Sequence, residues 1–283
     1  FATWNVQTLL DDPNSDRPER RTAIVSRELL RYNIDIAAVS ETRCADEGHL
    51  REEGGGYTFF WKGKPANDRR IYGIGFAIKN QIVSQMTEFP AGINECLMTL
   101  RLQLANNSSA TVISAYAPTL VAEEEQKEQF YADLDEILNI IPKEDKIILL
   151  GDFNARVGRD SNMWRGTIGK EGAGKANSNG ILLLSKCVEH DLVITNTIFR
   201  QCDGYKTTWQ HPHLKQWHLL DYVIVRARDP KDVHITRVMR GADDCWTDHR
   251  LVRSILSIRV ALKHRKQPKT VRRQYNIKSL QIP

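Results

Sequence analysis

Cysteine is sparse in this sequence of 283 residues and follows no pattern typical of a structural or redox role. The five cysteines are widely scattered and none forms a C-x-x-C pair, which argues against a zinc site or a dithiol centre. Their odd number favours free thiols in a reducing compartment. They are Cys44, Cys96, Cys187, Cys202 and Cys245.

Long hydrophobic runs are absent as well. No stretch of about 18 apolar residues and no N-terminal leader is visible, so we expect neither a membrane span nor a secretory signal. The chain begins at Phe1, on a strand-like segment, and this start leaves an upstream targeting signal open. With 41% hydrophobic and 27% charged residues, the composition predicts one large, soluble α/β domain.

Acidic residues are missing from the C-terminal part of the chain. None follows Asp248, whereas eight Lys or Arg residues lie between Arg259 and Lys278. The apolar pattern thins at the same place, so we expect a compact domain over residues 1–260 and a basic extension or linker over residues 261–283. This charge asymmetry indicates a polyanionic partner, and a solvated tail is the alternative.

Phosphate-binding glycine motifs are absent too. The glycines of Gly54–Gly56 and Gly166–Gly180 have the spacing of neither a Walker loop nor a Rossmann fingerprint, so we interpret both stretches as turns or loops. No internal repeat is present either. The chain therefore belongs to neither of the common nucleotide-binding classes by motif.

Short segments rich in β-branched and aromatic residues alternate with helical patterns. Helices are predicted at 20–32, 123–141 and 182–189. Strands are predicted at Thr3–Val6, Ile34–Ser40, Tyr57–Trp61, Gly73–Ile78, Leu97–Leu104, Thr111–Ala115, Ile147–Leu150, Val193–Thr195, Tyr222–Val225 and His234–Val238. The irregular alternation favours two sheets covered by helices over a barrel.

Polar residues follow several of these predicted strands. Asn5, Glu41 and Tyr116 each come at a strand end, and Asp152 with Asn154 follows another. Sites in α/β folds collect at such ends. Alone, each of these residues is more typical of a cap, a turn or a solvated surface.

Three further residues complete a possible hydrolytic site. Asp221 precedes a predicted strand, and Asp248 and His249 are adjacent near the end of the apolar pattern. Breaking a phosphodiester requires oxygen ligands for a hard cation and a base for the attacking water. Carboxylates and a histidine in one site supply both.

The ordered set of motifs resembles the endonuclease/exonuclease/phosphatase superfamily, and within it the endonucleases of RTE/BovB-like non-LTR retrotransposons. The superfamily motifs are Trp4–Val6, Ser40–Arg43, Ser114–Pro118, Gly151–Ala155, Leu219–Tyr222 and Thr247–Arg250. The retrotransposon likeness lies in Asn179–Leu184, Leu192–Phe199 and Thr208–Pro212. One departure is Leu219, where many relatives carry a basic residue.

The resemblance implies a four-layered α/β sandwich, with two mixed β-sheets flanked by helices, as in DNase I. It places Glu41 at a metal site for Mg²⁺ or Mn²⁺, with help from Asn5 and Asp248. It makes Asp152, Asn154, Tyr116 and an Asp221–His249 dyad catalytic, and Thr208 and Arg43 substrate-binding. Which residue is the general base stays open between Asp152 and His249.

The function implied is a nuclear endonuclease that nicks duplex DNA and leaves 3′-hydroxyl ends. A second reading is abasic-site repair, and a third is a domesticated DNA-binding or chromatin protein without catalysis. Partners implied are the DNA backbone and a downstream reverse transcriptase. The basic balance of the chain favours nucleic acid over lipid or inositol phosphates.

Overall fold

The computed structural model describes residues 1–11, 20–105, 107–242 and 246–261, and these form two mixed β-sheets. The first sheet has seven strands, in the order β14 (Val233–Met239), β15 (Leu251–Leu256), β1 (Ala2–Asn5), β2 (Ile36–Ser40), β5 (Ile74–Lys79), β4 (Tyr57–Lys62) and β3 (Glu47–Glu52). The second has six, in the order β10 (Leu192–Ile194), β13 (Asp221–Arg226), β9 (Lys146–Asp152), β8 (Ser109–Tyr116), β7 (Leu97–Gln103) and β6 (Ala91–Gly92). A separate hairpin pairs β11 (Trp209–Gln210) with β12 (Trp217–His218).

The two sheets pack face to face over an apolar core. Ala38 and Phe76 of the first sheet meet Val112, Ile148 and Leu150 of the second in one buried cluster. Strand β9 is apolar on both faces, because its alternate residues point into this core and toward the helices outside. Continuous apolar runs such as this one are therefore central strands.

Helices cover the outer faces of both sheets. Helix α1 (Arg21–Arg31) packs Ile24, Val25 and Leu29 against the first sheet. Helices α3 (Glu124–Ile140) and α4 (Ser178–Glu189) cover the second sheet, and α2 (Asn80–Val83) is a single turn. The layers run helix, sheet, sheet, helix, so the four-layered sandwich is confirmed.

The predicted elements are present with small differences in their bounds. All ten predicted strands and three predicted helices occur, and five strands, β3, β6, β11, β12 and β15, were not predicted. The turn at Gly54–Gly56 is confirmed, but Gly180 lies in the first turn of α4 rather than in a loop. A Cβ there would lie 1.8 Å from the carbonyl oxygen of Arg156, so this close approach requires glycine.

The last described residues still pair with the second sheet. Val260 forms an antiparallel bridge with Leu104, next to the predicted domain end. That boundary stays a prediction, and residues 262–283 of the predicted basic extension lie outside the described residues. None of the described helices is long and apolar enough to cross a membrane.

Candidate active site

The site lies where strand ends of both sheets meet. Strands β1 and β2 are parallel neighbours, so Asn5 pairs in register with Ser40, which directly precedes Glu41. Strands β8 and β9 are likewise parallel, and Tyr116 pairs with Asp152. Since the carboxyl ends of parallel strands lie at one edge, four predicted residues come together there.

Asn5 connects the two sheets at this edge. It is fully buried, and its Nδ2 donates to Glu41 Oε1 at 2.8 Å and to Asp152 Oδ2 at 3.0 Å. Its Oδ1 accepts the backbone N–H of Gln7 at 3.0 Å, which fixes the orientation of the amide. Asn5 therefore acts here as a donor between two carboxylates, and its oxygen faces Gln7.

His249 lies between two buried carboxylates. Its Nδ1 is 2.9 Å from Asp221 Oδ2, and its Nε2 is 3.7 Å from Asp152 Oδ2. Burial alone lowers the pKa of His249, but the charges of Asp221 and Asp152 outweigh it and raise the pKa to about 10. The imidazole is therefore positively charged at neutral pH, and the expected dyad geometry is present.

Asp152 lies in an environment that disfavours its negative charge. Burial and the nearby Asp221 raise its pKa to about 7, although His249, Asn5 and the backbone of Asn154 act against the shift. Its Oδ1 accepts the N–H of Asn154 at 2.9 Å. A carboxylate with such a pKa can take up a proton near neutral pH.

Tyr116 and Arg43 both contact Glu41. The Tyr116 hydroxyl donates to Glu41 Oε1 at 2.7 Å, and burial, followed by the charges of Glu41 and Asp152, raises its pKa, so the hydroxyl stays protonated. Arg43 Nη2 lies 3.4 Å from Glu41 Oε2. Asn154 donates its side-chain amide to the carbonyl of Ala117 at 2.9 Å, which anchors the loop after β9.

Asp248 is held in a bridge rather than directed at Glu41. Its Oδ1 accepts from Gln7 Nε2 at 2.7 Å, and its Oδ2 accepts from Trp209 Nε1 at 2.8 Å. Gln7 and Trp209 were not predicted as site residues. Their only sequence signals were the position of Gln7 two residues after Asn5 and the place of Trp209 beside Thr208.

Thr208 is fully buried, in contrast to the surface position expected of a substrate contact. Its hydroxyl accepts the backbone N–H groups of Leu220 and Asp221 at 3.0 and 3.2 Å. These bonds support the start of β13, which carries Asp221. Its role as a phosphate donor stays a prediction.

The donor chemistry of the site fits a hard divalent cation. Asp152, Asp221 and His249 lie close enough to hold a metal ion, and Glu41 joins them through Asn5. Asp221 and His249 are already engaged with each other, so Glu41 offers the carboxylate oxygens best suited to such a cation. The metal-site roles of Asn5 and Asp248 stay predictions, since both side chains are engaged in hydrogen bonds here.

Four of the nine described non-glycine residues with positive φ lie at this site. Gln7, Glu41, Arg43 and Asn154 adopt left-handed conformations, with φ of 57°, 55°, 56° and 46°. Such conformations cost about 1 kcal/mol or more for residues other than glycine. All four lie at the strand ends that form the site.

Comparison with known proteins identifies the family. A model of the endonuclease/exonuclease/phosphatase family matches residues 2–249. Craniofacial development protein 2 of Bos taurus is 32% identical over 272 residues, which cover 96% of this chain and 42% of the relative. The chain spans less than half the length of the curated relatives it matches.

Two solved structures share the fold. AP endonuclease LMAP from Leishmania major is 17% identical with a TM-score of 0.63, covering 92% of this chain and 87% of that chain. The endonuclease domain of TRAS1, a telomere-specific non-LTR retrotransposon, is 15% identical with a TM-score of 0.54, covering 93% and 98%. The expected resemblance is thus confirmed. Because the family model covers the strand ends and the Asp221–His249 pair alike, the chain belongs to the endonuclease/exonuclease/phosphatase family.

Proposed function

We propose that the protein is a metal-dependent endonuclease that nicks duplex DNA and leaves 3′-hydroxyl ends. The observation that carries this proposal is the position of His249 between Asp221 and Asp152, whose carboxylate is linked to Glu41 through the side-chain amide of Asn5. A charged imidazole, a carboxylate with a raised pKa and a carboxylate suited to a metal are the groups that phosphodiester hydrolysis uses. The endonuclease and AP endonuclease that share the fold support DNA as the substrate.

The two raised pKa values suggest a division of labour. Asp152, with a pKa of about 7, takes the proton from a water molecule as that water attacks phosphorus. His249, with a pKa of about 10, remains cationic and stabilises the charge on the phosphate oxygens. The P–O3′ bond breaks, its electron pair goes to O3′, and a proton from solvent gives the 3′-hydroxyl and a 5′-phosphate.

Four other residues position these groups. Glu41 would hold Mg²⁺ or Mn²⁺, which when bound adds positive charge against the reacting phosphate. Tyr116, which stays protonated, and Arg43 lie beside Glu41 and would donate to phosphate oxygens. Asp221 holds the imidazole orientation of His249.

A plasmid-nicking assay tests the proposal. Supercoiled DNA should be converted to open circles with Mg²⁺ or Mn²⁺, the nicks should prime a DNA polymerase, and excess EDTA should abolish cleavage. Asp152→Asn and His249→Gln should each reduce the rate by about 10²-fold or more. Asp135→Asn is the matched control, because Asp135 also contacts a histidine, His190, at 2.6 Å but on the helical surface.

Full cleavage in EDTA, or wild-type rates in both site variants, would contradict the proposal. The likeness to an AP endonuclease makes abasic-site cleavage the second candidate, so intact and abasic duplexes should be compared in parallel. Cleavage of neither, with DNA binding retained, would favour a silent DNA-binding or chromatin protein. A DNA substrate also implies a nuclear location, and a downstream reverse transcriptase gains no support from the relatives.

A further inference from the structure

A cavity of about 390 Å³ opens beside the candidate active site. Six of its lining residues define what we call the basic pocket: Arg156, Arg159, Lys206, Trp217, Arg240 and Arg250. Arg250 directly follows His249, and Arg156 follows Asn154 by two residues. Trp209 stacks on His218 of the lining, and its ring centre lies 6.3 Å from that of His249, so the pocket adjoins the dyad.

The lining of the basic pocket is strongly cationic. It contains five Lys or Arg residues and one acid, Asp203. Lys206 is neutralised by Glu171 at 2.9 Å, and Arg159 lies 4.0 Å from Asp203 across exposed surface. Exposed pairs of this kind contribute little, so a net positive charge remains for a ligand.

Arg156 and Arg240 supply most of this remaining charge. Within the described ranges of the chain, no carboxylate lies within ion-pair distance of either guanidinium; Arg240 has only the ring of Tyr205, at 5.8 Å. The pKa of His218, also in the lining, is lowered by burial and then by the charges of Arg156 and His211. The positive field of Arg156 thus acts inside the pocket.

One wall of the pocket is aromatic. The guanidinium carbon of the buried Arg250 lies 3.3 Å from the centre of the Trp217 ring, so the indole holds this guanidinium in place. Fixed guanidinium groups lose little freedom when they bind a phosphate. The wall formed by Arg250 and Trp217 therefore suits an oxyanion better than an apolar ligand.

A second cavity of the same size provides a contrast. It also measures about 390 Å³, lies on the side of Tyr72, and is lined by Glu95, Glu125, Asp133 and Lys64. Its acidic lining repels phosphates. The charge of the lining, and not the volume of the cavity, therefore determines which of the two cavities an anion enters.

We propose that the basic pocket binds one backbone phosphate of the DNA strand, at a position other than the phosphate that is cut. A cavity of this volume is within the range for small ligands, about 300–1,000 Å³, and admits a phosphate with part of its sugar but not a whole duplex. This inference rests on the proposed function, because it takes DNA as the polyanion. It assigns Arg156 and Arg240 as specific phosphate contacts.

The salt dependence of DNA affinity tests the pocket without any need for cleavage. Binding of a duplex is measured by fluorescence anisotropy in EDTA for the wild type, Arg156→Gln and Arg240→Gln. Each pocket variant should bind about tenfold more weakly and reduce the slope of log affinity against log salt by about 0.9. Arg237→Gln, an exposed arginine of β14 outside the lining, should leave the slope unchanged.

Neutral phosphates identify which phosphate is bound. On a duplex with a mapped nick site, single methylphosphonates beside the nick should weaken wild-type binding at one position, and Arg156→Gln should be insensitive there. Thermal melting checks that the variants fold, and Arg156→Lys should recover part of the affinity. Slopes in both pocket variants equal to the wild type would overturn the proposal.

Two outcomes separate this inference from the proposed function. If the variants change the salt slope but the wild type never nicks plasmid, the pocket proposal stands and the endonuclease proposal fails. If the wild type nicks plasmid but Arg156→Gln and Arg240→Gln leave the salt slope unchanged, only the pocket proposal fails. Binding of inorganic phosphate that Arg156→Gln abolishes, with unchanged DNA slopes, would assign the pocket to a free phosphate and also overturn the proposal.

Discussion

Replacing Thr208 by valine separates a structural hydroxyl from a substrate contact. Valine keeps the shape of threonine but removes the oxygen that accepts the N–H groups of Leu220 and Asp221 at 3.0 and 3.2 Å. The site is fully buried, so water cannot replace the acceptor. An unsatisfied buried donor costs about 1–3 kcal/mol.

Two such donors set a range of about 2–6 kcal/mol for the loss in free energy of unfolding. We expect the lower part of that range, about 2–4 kcal/mol, because the bond to Asp221 is long at 3.2 Å. For a domain of this size, that loss lowers the melting temperature by about 5–15 °C. Thermal and urea unfolding of Thr208→Val, Thr208→Ser and the wild type measure the effect. Serine keeps the oxygen, so Thr208→Ser should retain most of the stability.

The nicking assay on the same proteins decides between the two roles. If Thr208 is structural, Thr208→Val should retain cleavage at temperatures well below its melting point, within about tenfold of the wild type. A variant that is as stable as the wild type yet inactive would refute this reasoning. The hydroxyl would then contact phosphate, as the family resemblance implied.

Three further perturbations have predictable outcomes. Asn5→Asp replaces a donor to Glu41 and Asp152 by a like charge, so it should lower the melting temperature and reduce the cleavage rate by about 10²-fold or more. A cleavage rate equal to that of the wild type would show that the Asn5 bridge is dispensable. In EDTA, the melting temperature should fall as pH rises from 6.5 to about 10, because the raised pKa of His249 lets the folded protein keep a proton that the unfolded chain has released. His249→Gln should flatten that fall, and an unchanged pH slope would contradict the assigned charge. Deleting residues 262–283 should reduce the salt slope of DNA binding by a few units if their basic side chains meet phosphates, and equal slopes would indicate a solvated linker.

The central strands were predictable because burial on both faces leaves a plain apolar signal. Strand β3 gives no such signal, since Glu47–Glu52 is an edge strand with alternating exposed and half-buried residues. Strand β15 was not predicted for a different reason. It buries Ser254, whose hydroxyl bonds to Thr236, and this buried polar pair breaks the apolar pattern of a central strand.

The residues of the site were predictable, but their hydrogen-bond roles were not. Asn5, Glu41, Asp152 and His249 follow from motif order and strand ends. The direction of the Asn5 amide depends on a backbone N–H of Gln7, and that contact exists only after the chain turns at the left-handed Gln7. Sequence patterns show which residue types are present, whereas the backbone conformation of such a turn depends on packing in three dimensions.

The left-handed residues at the strand ends have a consequence for engineering. Glycine adopts their φ values without steric cost, so Arg43→Gly or Asn154→Gly would relieve local strain at the backbone. A library of variants selected only for thermal stability would therefore drift toward glycine at the positions that aim side chains into the site. Selection for heat resistance would favour glycine at these strand ends, whereas selection for cleavage would retain the present side chains.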